Sequence, residues 1–149
     1  MTFQFPHITQ DRLWRFCLEY YNTPGVKELC LTVQNKYAGN VNLLLISKWL
    51  DNQNINFDSC HWIQIFNCLK KTEELLINFR KLRHDNKLYI PQSLYQSHLN
   101  FELKLERQQQ SDLINLINQL PLYQTSTPTL LQRYCKNIKV KHLYSYFPD

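Results

Sequence analysis

The sequence predicts an all-α protein, a single domain over residues 1–149 built as a bundle of about six helices. Three observations lead there. Gly25 and Gly39 are the only glycines in the chain, so tight β-turns and phosphate-cradling loops, which need positive φ, are poorly served. Apolar residues recur at helical spacing along most of the chain. At 149 residues the chain can bury roughly two thirds of its unfolded surface without a staple.

Each element has its own signal. In "DRLWRFCLEYY", Leu13, Phe16, Cys17 and Tyr20 lie at i, i+3, i+4, i+7, predicting a first helix over about Thr9 to Tyr21. Thr23 as N-cap and Pro24 at the first helical position open a second, whose inner face is Val26, Leu29, Cys30, Val33 and Tyr37. Gly39 is placed to end it in the left-handed region. Asn40 then caps "VNLLLISKWLD", apolar almost all round and therefore the central buried helix.

After the polar exit loop "NQNINF", Asp58 or Ser59 caps a helix with Trp62, Ile63, Phe66 and Leu69 on one face. Thr72 with Glu73 and Glu74 reads as another helix start, so residues 58 to 84 are one bent helix or two. Pro91 breaks the chain. The longest helix follows from about Gln92 to Leu120, with Tyr95, Leu99 and Leu103 at one end and Leu113, Ile117 and Leu120 at the other, interrupted by "ERQQQSD". "YQTSTP" is a linker. Thr127 and Pro128 repeat the cap-and-proline signal for a last helix through about Ile138, and the tail "VKHLYSYF" is strand or helix.

Leu13 to Leu50 resemble the opening of DUF2390, a family of small bacterial proteins of unknown function. Trp14, Phe16, Leu18, Tyr21, Pro24, Gly25, Val26, Cys30, Leu31, Gln34, Gly39, Val41, Asn42, Leu43, Leu44, Leu45 and Trp49 match its pattern in order and spacing. Cys17 stands where that family usually has serine, and Asn35 and Asn40 where it usually has aspartate. Asparagine still caps a helix but cannot act as an anionic metal ligand or base, so the motif reads as structural. The resemblance implies no activity.

Chemistry-bearing patterns are few. Glu102 and Glu106 lie one turn apart and could serve acid–base work or a metal, but no Glu-x-x-His motif accompanies them, and a solvated face or a polar layer within a bundle is the expectation. Cys17, Cys30, Cys60, Cys68 and Cys135 form no C-x-x-C pair, which points to reduced thiols rather than a disulfide framework or zinc site. No catalytic residue, metal or cofactor is assigned, and the chain is expected not to be an enzyme. With neither a secretory signal nor an apolar run long enough to span a bilayer, it is expected to be cytoplasmic.

The net charge of +5 concentrates in two segments, residues 70 to 87 and 128 to 149, each +3. Arg80, Lys81, Arg83 and Lys87 in the first, and Arg133, Lys136 and Lys139 in the second, follow helical steps and could bind a phosphate backbone. Three Trp, nine Tyr and eight Phe exceed what a small helical core readily hides. The leading expectation is therefore a protein partner bound through an aromatic surface, with RNA or DNA association as the alternative. An enzyme site near Asn42, Glu102 and Glu106 comes third. Asn42, in the first turn of the central helix, is expected to tie the second and third helices together or to face a partner.

Overall fold

The glycine-poor chain folds as helix. A computed structural model, which describes residues 8–149, contains among them six α-helices: α1 (Gln10–Tyr21), α2 (Val26–Tyr37), α3 (Val41–Asn52), α4 (Trp62–Asn86), α5 (Gln92–Ile117) and α6 (Leu130–Asn137). Two-residue strands β1 (Ile55–Asn56) and β2 (Tyr123–Gln124) pair antiparallel, Ile55 opposite Gln124 and Asn56 opposite Tyr123. Short 3₁₀ turns run Ser59–His61 and Lys141–Tyr146. The fold is all-α. Its helices group into two compact units, one formed by the chain up to His61 and from Asn118 onward, the other by Trp62 to Ile117.

In the first unit α3 is the central element, buried on every side from Leu43 to Leu50. Its start is fixed by Asn40, whose side-chain oxygen accepts the Leu43 N–H at 2.8 Å, satisfying a donor that the first helical turn leaves without a partner. α1 begins after Thr9, whose hydroxyl accepts the Arg12 N–H, and buries Leu13, Cys17 and Tyr20. Phe16 stacks on Tyr20 at 5.3 Å, and the Lys48 ammonium lies over the other aromatic partner, the Tyr20 ring, at 5.8 Å.

Three details of this unit differ from the expected boundaries, each for a local reason. α2 starts at Val26, behind Gly25 at φ +88°, and not at Pro24. The Thr23 hydroxyl that was to cap it donates instead to the Glu19 carbonyl of α1. At the other end of α2 the left-handed residue is Ala38, at φ 54°, not Gly39. Gly39 is required for closeness: a Cβ there would run into Cγ1 of Val33 and lie 2.9 Å from Cδ1 of Ile138.

The third difference is α6, which begins at Leu130, past Thr127 and Pro128. The residue before it, Thr129, offers no side-chain cap. Asp51, near the end of α3, does so from a distance of 79 and 80 residues along the chain: its carboxylate oxygens accept the Leu130 and Leu131 N–H groups at 2.9 and 3.0 Å. The stretches read as exit loop and linker supply β1 and β2, and the tail takes 3₁₀ form with Phe147 buried.

The second unit is a helical hairpin. α4 is one continuous helix of 25 residues; Thr72 lies within it and donates its hydroxyl to the Leu69 carbonyl, so it starts nothing. The buried face is Trp62, Ile65, Leu69 and Leu76, which leaves Ile63 and Phe66 exposed, contrary to the expected face. α5 runs unbroken through "ERQQQSD" for 26 residues and ends at Ile117, short of Leu120. Leu103, expected on its inner face, is exposed, while Glu102, Gln109 and Gln110 are buried.

Candidate interaction face and charged layer of the helical hairpin

α4 and α5 run antiparallel, and the facing pairs descend in register: Arg83 with Tyr95 and Glu102, Arg80 with Glu102 and Glu106, Thr72 and Glu73 with Gln109. The distal seam of the hairpin is charged. Arg83 Nε donates to Glu102 Oε2 at 2.5 Å and its Nη1 to the Tyr95 hydroxyl at 3.1 Å. Arg80 Nε reaches Glu102 Oε1 at 3.1 Å and Nη2 reaches Glu106 Oε1 at 3.3 Å. The Glu102 side chain is only 10% exposed, and two guanidiniums meet it where a bundle normally places leucine.

Burial raises the Glu106 carboxyl above its ordinary range, against the pull of Arg80. For Arg83 burial acts downward, but the hydrogen bonds with Glu102 and Tyr95 prevail and raise it. Further along, Gln109 Nε2 donates to Thr72 Oγ1 at 3.2 Å and to Glu73 Oε2 at 3.1 Å. Arg80, Arg83, Tyr95, Glu102 and Glu106 thus form one connected polar layer, with Gln109, Thr72 and Glu73 as a second group along the same seam, and both favour this register of α4 on α5.

The apolar residues of these helices lie beside that seam. On α4 Leu75, Phe79 and Leu82 recur at steps of four and three; on α5 Leu94, His98, Phe101 and Leu105 do the same. The two stripes meet, since the Phe79 ring lies 5.0 Å from Phe101 and 5.9 Å, edge-on, from His98. Leu75, Leu82, Leu94 and Phe101 are each about half exposed, and at the turn Leu88 and Tyr89 are 89% and 85% exposed. One side of the hairpin is therefore a contiguous apolar face open to solvent.

The expected site residues are distributed as follows. Glu102 and Glu106 come together with Arg80 and Arg83, so the arginines point into a carboxylate pair and the expected stripe Arg80, Arg83, Lys87 is not a continuous free cationic edge. Lys87 lies past the end of α4, its ammonium 5.6 Å from the Tyr95 ring, and Lys81 is exposed. In the first unit Arg133 Nη1 donates to the Phe57 carbonyl at 3.3 Å. Lys136 is exposed, and Lys139 has left α6 with φ 63°, which breaks the expected step of three. The two basic segments belong to different units, as do Asn42 and the glutamate pair.

Asn42 is half-buried in the first turn of α3. Two residues before it, the Asn40 N–H donates to the Tyr134 hydroxyl on α6 at 2.7 Å and so joins this end of α3 to another helix. All five cysteines are free thiols; burial pushes Cys30 up to about 12 and Cys135 up to about 11, far from a reactive thiolate. Among the described residues no cluster of three or more His, Cys, Asp or Glu could hold a metal ion, and no helix is long and apolar enough to cross a membrane.

The helical phase set by Tyr95, Leu99 and Leu103 does not coincide with the apolar face of α5. The four–three spacing of Leu94, His98, Phe101 and Leu105 was the available signal, masked by a histidine in one of its four places.

Comparison with known proteins gives one match. The family model described as "Protein of unknown function (DUF2390)" covers residues 12–113, from α1 through most of α5. No curated protein and no solved structure matches the chain.

Proposed function

The chain belongs to the DUF2390 family, which brings no activity with it, and we propose that it is a non-enzymatic interaction protein whose binding surface is the apolar side of the α4–α5 hairpin. One observation carries the reading. Leu75, Leu82, Leu94 and Phe101 are exposed, with half-buried Phe79 and Leu105 in the same stripes, while the distal seam beneath them is filled by arginine and glutamate. Solvated apolar surface of this extent costs roughly 25 cal/mol per Å², and aromatic residues within it are the usual anchors of protein–protein contacts. A cytoplasmic setting accords with the five free thiols.

Phosphate recognition has less support here. Arg80 and Arg83, the core of the first basic stripe, already have carboxylate partners, and a guanidinium so neutralised adds little to a phosphate-attracting field.

Leu82→Lys and Phe101→Lys variants, checked for unchanged helix content, test the reading. Each is expected to lose every specific protein contact that the parent chain makes in affinity capture from a native lysate. Retention of all contacts by both variants would refute the assignment of the surface.

A further inference from the structure

We infer that the occupant of this face is a second copy of the chain: two α4–α5 hairpins dock through their apolar sides about a two-fold axis perpendicular to the helices, completing an antiparallel four-helix bundle. The inference rests on the interaction reading above and names its partner.

The spacing selects a helical partner. Steps of four and three on both helices make two narrow parallel stripes, the pattern by which helices bury side chains into one another at a shallow crossing angle. A flat or extended partner has no use for that periodicity. The apolar interior of the hairpin lies at its proximal end, with Ile65, Leu69, Leu76 and Leu113, while Arg80, Arg83, Glu102 and Glu106 occupy the distal seam. Two more helices on the open side would enclose Phe79 and Phe101 as such an interior.

The stripes cover at most about 18 Å of helix, from Leu94 to Leu105 on α5, across a helix pair about 18 Å wide. The apolar centre is then roughly 320 Å² per protomer, with charged residues as its rim, a contact of the small, reversible class.

The face is self-complementary about the level of Asn78 and Phe79. Inversion there sets Leu75 opposite the partner copy's Leu82, and it sets Lys71 opposite Asp85. Both charged residues are exposed and stand on the outer edge of the α4 stripe. On α5 the same level falls at Phe101, and it sets His98 opposite Leu105. A single axis thus aligns both stripes and matches the flanking charges, as an isologous interface requires.

Sedimentation velocity of the purified full chain at micromolar concentration tests this. A dimer is expected, lost in Leu75→Glu and in Leu82→Glu and kept in Ile77→Glu, which alters an exposed residue on the opposite flank of α4. Thermal melts followed by circular dichroism verify that each variant is folded. Lys71→Asp and Asp85→Lys should each weaken association, and the double variant should restore it. A folded parent chain that stays monomeric overturns the inference, as does a dimer indifferent to Leu75→Glu and Leu82→Glu. Failure of the double variant to restore association overturns the antiparallel register. If the parent is monomeric while Leu82→Lys still abolishes capture of a specific partner, self-association falls and the surface reading stands.

Discussion

Tyr134 and Asn40 exchange two hydrogen bonds across 94 residues of sequence: the buried tyrosine hydroxyl accepts the Asn40 N–H at 2.7 Å and donates to the Asn40 carbonyl at 3.3 Å. With Asp51 capping the start of α6 from the end of α3, the two helices are strapped antiparallel at both ends. The Asp51 strap, and the Asn40 N–H, use backbone donors that helix starts leave outside the intrahelical ladder; the Asn40 carbonyl also accepts the Leu44 N–H at 3.1 Å.

Tyr134→Phe keeps the ring packing and removes only the hydroxyl, leaving the buried Asn40 amide without this acceptor. A loss of about 1–3 kcal/mol is expected from that desolvated donor. Chemical denaturation should show it as a lower midpoint at unchanged slope.

Asp51→Ala should cost about 1–2 kcal/mol, the usual worth of an N-cap. Asp51→Asn should cost less, since it keeps an acceptor and buries no charge. Burial raises the Asp51 carboxyl despite its two backbone hydrogen bonds. A raised folded value means that the native state holds the proton more tightly, so this group's contribution is full below about 3.8, the unfolded value, and declines as pH rises through the folded one. Denaturation of parent and Asp51→Asn between acid and neutral pH should show the parent gaining on the variant as pH falls.

Glu102 and Glu106 should respond unequally. Glu102→Gln removes the partner of both Arg80 and Arg83 and is expected to cost about 2–3 kcal/mol, below the full value for a buried pair because water reaches the arginines. Glu106→Gln leaves Arg80 paired with Glu102 and relieves a carboxylate that burial disfavours, so a change of about 1 kcal/mol or less is expected. Thermal melts would rank them. Arg80→Glu with Arg83→Glu should unfold the hairpin irrespective of any ligand, so phosphate binding is better tested at exposed Lys81 and Lys136.

At the end of α2, Ala38→Gly should stabilise by up to about 1 kcal/mol, since a Cβ is disfavoured at φ 54°. Gly39→Ala should destabilise by about 1–3 kcal/mol through overpacking against Val33 and Ile138. Exchanged signs at these adjacent positions, read in one denaturation series, would separate conformational freedom from close approach.

The helical class, the central burial of Leu43 to Leu50 and the cap at Asn40 were legible in the residues alone, because periodicity and N-cap chemistry act over a few residues. The sequence also carried the family, through the spacing from Trp14 to Trp49. It took the packing of the helices to show that Asp51 caps α6, that Gly39 is small for Val33 and Ile138, that Arg80 and Arg83 turn inward to Glu102 and Glu106, and that Leu94 and Phe101 stay open to solvent. Each of these depends on a partner far along the chain, or on the lack of one, and local propensity contains no term for either.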